Sequence, residues 1–344
     1  MNITELLNIT SEMGASDLHL TVGVPPTLRI NGLLNKLDYP DLSEDDVFEM
    51  IYSLLSEEHR KKFVELKEID FSLEIVNGSR FRVNVFMHRR GIAGAFRLIP
   101  EKIKSLEELG LPLRLADFTR KPKGLVLITG PTGSGKSTSL AAMINLINKT
   151  LSGNIITLED PIEYLHRHGT CIINQREVGT DCPTFAQGLR AALRQDPDVI
   201  LVGEMRDLDT ISIAMTAAET GHLVMATLHA ATAIQTVERV VDVFPPHQQD
   251  QIRIQLANTL LGIISQQLIP RADGNGRVLA CEVLMANSAV RNLIRDNKTF
   301  QLNTVMQTGI NLGMITMEKS LKSFLDRGLI TAEEVKKRTY NPNQ

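Results

Sequence analysis

Residues Gly130 to Ser137 read GPTGSGKS and fill the spacing G-x-x-x-x-G-K-[S/T] at every fixed position. Gly130, Gly133 and Gly135 free the backbone to curl, so that successive N–H groups turn inward toward an anion. A helix beginning here adds partial positive charge. Lys136 has the reach to meet the β and γ phosphates, and the Ser137 hydroxyl can ligate Mg²⁺. With Pro131, Thr132, Ser134 and Thr138 completing the loop and first helical turn, Gly130–Thr138 is the expected nucleotide-binding set. The chemistry is binding of a nucleoside triphosphate.

Three further clusters bear on hydrolysis. Asp196 to Asp207 reads DPDVILVGEMRD, an apolar run ending in Gly203 and Glu204. An acid at the carboxyl end of a strand beside a phosphate loop is where Mg²⁺ or its water shell must be held. Asp is the commoner residue there, so Glu204 is a departure. Asn154 to Tyr164 reads NIITLEDPIEY, with Glu159, Asp160 and Glu163 clustered about Pro161. Glu163 is the expected group to orient or deprotonate the attacking water, supported by Asp160 and Glu159. Taken alone, carboxylates beside a loop proline also fit a solvated turn. His222 and His229 flank the apolar run Leu223 to Leu228. They fit either a γ-phosphate sensor or two structural histidines. Two histidines without a suitably spaced third ligand do not make a zinc site. Three arginines could neutralise transition-state charge: Arg82 and Arg97 across a domain or subunit boundary, Arg194 in cis. Each fits a solvated surface charge as well.

The elements that position these residues follow from periodicity. GLVLIT, Gly124 to Thr129, is a buried-strand run, and Leu140, Met143, Ile144 and Ile147 share one helical face after the loop. Strand, glycine loop and helix in that order is the context the motif requires. From about 124 to 270, strands and helices alternate as in a parallel α/β sheet. Residues 1–112 read as an α+β unit. In it Ile69, Phe71, Leu73 and Ile75 alternate with polar residues, and RFRVNVF puts Phe81, Val83 and Val85 inward with Arg80 and Arg82 opposite. Strands are also expected at DLHLTV, TLRING and GAFRLIP. Residues 113–123 mix Pro, Gly and basic residues and are the expected linker. Residues 271–344 are expected to be helical, with Thr331 and Glu334 forming a capping box.

A net charge of -3 and a pI near 6.3 give no global attraction to nucleic acid or anionic membrane. Cys171, Cys182 and Cys281 form neither a C-x-x-C site nor a secreted disulfide framework, so a reducing cytoplasm is expected. The amino terminus lacks the basic start and apolar core of a signal peptide. No apolar run approaches the ~18–20 residues that span a bilayer, so membrane association is expected only through a partner.

Taken in order, the phosphate loop, the acidic box TLEDPIEY, the Glu-type strand end ILVGEMRD and the histidine box TGHLVMATLH resemble the type II/IV secretion and pilus-motor ATPases. Within these, ASDLHL, PPTLRINGLL, RFRVNVF, NQREVG, ERVVDVFP and SAVRNLIRD are similar to segments of the type IV pilus retraction branch. The last departs mildly from that branch's AIRNLIRE element at Val290 and Asp296. The resemblance implies a PAS-like amino-terminal domain joined to a RecA-like ATPase domain and carboxy-terminal helices, assembled as a homohexamer. It implies ATP and Mg²⁺ as ligands, Glu163 as catalytic glutamate, and Glu204 as the acid of the metal-holding strand. His222 and His229 then form the histidine-box pair, and Arg82 and Arg97 the arginine fingers. The implied work is pilus retraction against an inner-membrane platform protein, with no direct nucleic-acid contact. The four-cysteine zinc element of assembly and secretion ATPases is missing, which favours the retraction branch. Two alternatives stay open at this point. One is a PilU-like accessory acting through a retraction ATPase, which would make such a paralogue a partner; the other is a nucleic-acid translocase on the same core. Acidic net charge and the lack of an aromatic-basic stripe count against the translocase.

Overall fold

Period-two alternation of apolar and polar residues builds the first of two sheets. The computed structural model describes residues 2–30, 32–76, 78–99 and 102–339; Asn31 and Pro100, included in the strand expectations, lie outside them. The chain divides into two units, Met1–Lys102 and Ile103–Gln344. The first contains α1 (Ile3–Glu12), β1 (Asp17–Leu20), β2 (Thr27–Ile30), β3 (Leu33–Lys36), α2 (Glu44–Tyr52), α3 (Glu57–Leu66), β4 (Glu68–Glu74), β5 (Arg80–His88) and β6 (Gly91–Ile99). Ser43 and Ser56 cap α2 and α3, accepting the N–H groups of Asp46 and His59. The sheet is antiparallel in the order β3-β2-β1-β6-β5-β4. One face carries Leu28, Leu18, Phe96 and Val83, packed with Leu6, Leu7 and Ile51 of the helices. The other face therefore carries, in register, Arg29, Asp17, Arg97, Arg82 and Ser72.

The second unit holds α4 (Ala116–Thr119), β7 (Gly124–Thr129), α5 (Lys136–Thr150), β8 (Asn154–Glu159), β9 (Ile172–Glu177), α6 (Phe185–Ala192), β10 (Val199–Val202) and α7 (Leu208–Glu219). It continues through β11 (Leu223–Leu228), α8 (Ala233–Asp242), α9 (Pro246–Thr259), β12 (Leu260–Pro270) and β13 (Arg277–Met285). Last come α10 (Ser288–Arg295), α11 (Leu302–Thr308), α12 (Met317–Asp326) and α13 (Ala332–Thr339). The sheet order is β13-β12-β7-β11-β10-β8-β9, parallel except for β13. Its inner strands are buried on both faces, which is why β7, β10 and β11 are continuous apolar runs. Helix α5 covers one face with Leu140, Met143, Ile144 and Ile147. Helices α7, α8 and α9 cover the other through Ile211, Val237 and Leu256.

Two stretches differ from the sequence expectation. Within 113–123, residues Leu113–Leu115 form a 3-10 turn and α4 follows, with Leu115 and Phe118 buried in the core beside α5. Phe118 lies so close to Gly262 that a Cβ there would come within 2.3 Å of the ring. Expected helix after Arg271 is corrected as well. The chain first turns back through Gly274 and Gly276, both at positive φ, and Arg277–Met285 adds an antiparallel edge strand; helices begin at Ser288. Glycines that can occupy that region favour a tight turn, and the turn turns an apolar run into a hairpin partner of β12.

Candidate functional site

Parallel strands place their carboxyl ends on one edge, and β7, β8, β10 and β11 deliver the expected chemical groups there. After β7, Gly130 holds φ +145, and a Cβ on it would lie 2.4 Å from the Gln266 carbonyl oxygen. Only glycine fits. Gly135 at φ +88 then starts α5. Lys136 Nζ folds back on the loop, donating to the carbonyls of Gly130 at 3.0 Å and Pro131 at 3.1 Å. Burial lowers the Lys136 pKa, while the nearby Glu204 and Glu163 carboxylates act against that shift. The Ser134 hydroxyl is buried against Gly130 with no partner among protein atoms.

Glu159 ends β8 and is half-buried. Its Oε1 accepts from Thr157 Oγ1 at 2.6 Å and Gln175 Nε2 at 3.1 Å, and the carboxylate also accepts the Glu163 backbone N–H. Burial raises its pKa, opposed by those three donors and reinforced by the Glu163 charge. Downstream, Asp160–Pro161 is cis, and the Ile162 N–H donates to Glu177 Oε2 at 3.1 Å. Tyr164 Oη meets Thr138 Oγ1 at 2.9 Å. The strap 160–164 is thus tied to β8, β9 and α5, and the exposed Glu163 side chain stands over the loop's cleft.

Glu204 follows β10. Arg206 Nη2 lies 2.6 Å from its Oε2, and His229 Nε2, just past β11, lies 3.3 Å from its Oε1. Burial pushes the Glu204 pKa up, but Arg206, His229 and Lys136 outweigh it and hold the carboxylate below its ordinary value. The loop after β10 is pinned to β11, because the Thr227 hydroxyl donates to the Gly203 carbonyl and the Met205 N–H to the Thr227 carbonyl at 3.0 Å.

Lys136, Ser137, Thr138, Glu163, Glu204 and His229 line one cleft of about 450 Å³. His166 also lines it and is held neutral, its pKa pushed down by burial to about 4. Ser137 and Glu204 supply a hydroxyl and a carboxylate, and no group of three or more His, Cys, Asp or Glu among the described residues could hold a metal. That donor set fits Mg²⁺, which takes one or two protein oxygens and fills its octahedron with phosphate and water.

His222 is not brought to the cleft. It precedes β11 at the amino edge of the sheet, roughly 20 Å along the strand from His229, and its Nδ1 lies 3.0 Å from the Ala217 carbonyl at the end of α7. Arg194 is exposed between α6 and the amino end of β10, bonded to the Arg190 carbonyl at 3.1 Å. Arg82 and Arg97 belong to the first unit. There Arg97 Nε is held 2.9 Å from the buried Asp17, whereas Arg82 Nε has Asp70 at 3.9 Å. Sequence reasoning missed Arg206, Tyr164 and Arg277, all of which line the cleft. The first two stood inside motifs already singled out; Arg277 comes from the edge strand that was expected to be helix.

Comparison with known proteins follows the same outline. Residues 67–337 match the family model described as Type II/IV secretion system protein. The chain is 48% identical over 342 residues to the type IV pilus retraction ATPase PilT of Pseudomonas aeruginosa, covering 99% of each chain. It is 50% identical over 316 residues to the twitching motility protein of Neisseria gonorrhoeae, covering 92% of this chain and 84% of that one. A crystal structure of the pilus retraction motor PilT with bound ADP superposes with a TM-score of 0.93 at 50% identity, covering 100% of this chain and 98% of the other.

Proposed function

Because this chain belongs to the Type II/IV secretion system protein family, we propose that it is an ATP-hydrolysing motor driving type IV pilus retraction, and with it twitching motility. The observation that carries the reading is the convergence of Lys136, Glu163, Glu204 and His229 on one cleft at the carboxyl ends of parallel strands. Gly130–Thr138 hold the phosphates of ATP. Ser137 and Glu204 would hold Mg²⁺, which would supply positive charge against the developing charge of the phosphates. Glu163 takes or orients the proton of the attacking water, its backbone fixed by Glu159. His229, which lies 3.3 Å from Glu204 and lines the same cleft, registers the γ phosphate by donating a hydrogen bond from its imidazole. Arg82 and Arg97 supply charge from a neighbouring subunit of a homohexameric ring. Arg194 and His222 lie at the opposite edge of the sheet from the loop, bonded to the Arg190 and Ala217 carbonyls, and take no part in phosphate chemistry in this reading.

No described helix is long and apolar enough to cross a membrane. The proposed place is the cytoplasm, at an inner-membrane pilus platform reached through protein contacts, with a PilU-like paralogue as a further partner. Expression in a piliated strain lacking its own retraction ATPases tests this. Restored retraction, lost again in Lys136→Ala, is the expected outcome. Restoration only when a second retraction ATPase is also present would assign an accessory role, and ATPase stimulated by DNA in a salt-sensitive way would assign a translocase.

A further inference from the structure

Along one row of the second sheet the apolar pattern breaks. Thr129 of β7, Ser265 of β12 and Glu282 of β13 stand in register on adjacent strands and are 0%, 0% and 6% exposed. Thr129 Oγ1 lies 2.9 Å from Ser265 Oγ and 3.3 Å from Thr236 Oγ1 of α8. The row therefore runs from the residue before the phosphate loop to a buried carboxylate.

A carboxylate this buried is costly unless donors meet it. Glu282 is met by the starts of two helices. The N–H of Ala233, first residue of α8, donates to Oε1 at 2.7 Å; the N–H of Met317, first residue of α12, also donates to the carboxylate. Both helix ends bring partial positive charge to it. Glu282 is not among the residues lining the nucleotide cleft. Its effect on the cleft runs through α8. Only His229–Thr232 separate the end of β11 from Ala233, and His229 Nε2 sits 3.3 Å from Glu204. The sheet fixes one end of that short link, and Glu282 fixes the other.

We propose that Glu282 is a positioning residue that anchors the start of α8, keeps His229 beside Glu204, and ties that placement to α12. Movement of the His229 segment then reaches the carboxy-terminal helices through one shared anion. This rests on the reading of Gly130–Thr138 as the ATP site.

Amide hydrogen exchange on the full-length protein, with and without a non-hydrolysable ATP analogue, tests it in the wild type, Glu282→Gln and Met317→Pro. Glutamine keeps the size but turns an NH₂ toward one of the two N–H donors. Proline removes the Met317 N–H at the first helical position, where proline is tolerated. Met317→Ala, which keeps that N–H, controls for the lost packing of the side chain against Ile269, Ala280 and Leu321. In the wild type the analogue is expected to protect Gly135–Ser137 and to change exchange in the first turns of both α8 and α12. In Met317→Pro the α8 response is expected to persist while residues 318–320 stop responding. In Glu282→Gln, kcat is expected to fall about 10-fold with KM within about 2-fold, the split that displacement of His229 requires. An α12 that ignores the analogue in the wild type, or responds equally in Met317→Pro, would overturn the proposal. So would Glu282→Gln with wild-type kcat. Absence of protection at Gly135–Ser137 in the wild type would instead remove the ATP-site reading, and this proposal with it.

Discussion

At the scale of single residues, function depends on charge held at particular atoms. Glu163 is exposed over the cleft while its backbone is fixed, which is the arrangement a proton acceptor for water needs. Glu163→Gln is expected to lower steady-state turnover about 10²–10⁴-fold while leaving binding of a fluorescent ATP analogue intact. Lost binding would mean that the side chain serves the nucleotide, not the water. Glu204 makes a second prediction, through pH. Its carboxyl titrates below its ordinary value of 4.5 in the fold, so its pairing stabilises above pH 4.5 and the contribution is lost as pH falls through the folded value. Arg206→Ala removes its shortest ion pair, 2.6 Å. Thermal midpoints should therefore lie below wild type at pH 7, with the gap closing below about pH 4.5. A gap that stays constant down to pH 3 would place the Arg206 contribution elsewhere than on this carboxylate.

Elements decide which of these residues can cooperate, and here the sequence was legible in part. Strand, glycine loop and helix were readable because a phosphate loop demands close backbone approach at Gly130 and left-handed backbone at Gly135. The carboxylate ends of β8 and β10 were readable because apolar runs stop abruptly at Glu159 and at Gly203. His222 and His229 looked like a pair in sequence, yet residues that flank a strand must lie at its opposite ends. Strand β9 is half exposed and carries Asn174, Gln175 and Arg176, so apolar periodicity could not reveal it. Gln175 from that strand nevertheless holds Glu159, and Glu159 holds Glu163. Glu159→Gln replaces a carboxylate that receives three donors with a carboxamide whose NH₂ cannot accept from any of them, and it should lower turnover about 10-fold or more with nucleotide affinity kept. Unchanged turnover would show that the strap 160–164 needs no such anchor. In the first sheet, Asp17 secures Arg97 while Arg82 opposite it is loosely paired. Arg82→Ala should cost at least about 10-fold in turnover without affecting nucleotide binding. Wild-type turnover in that variant would pass the role to another arginine.

For the whole molecule, composition set only broad limits, whereas ordered motifs across both units pointed to one family of motors. What a single chain's periodicity cannot carry is the contact between copies, because arginines on the polar face of a sheet look the same whether solvent or a neighbour covers them. The account's central claim is a ring motor whose sites are completed by adjoining subunits, and the most direct test is ATPase rate against protein concentration, with sedimentation in the presence of a non-hydrolysable ATP analogue. Turnover per chain rising with the appearance of a six-subunit species is the predicted result; full turnover in a stable monomer would contradict it.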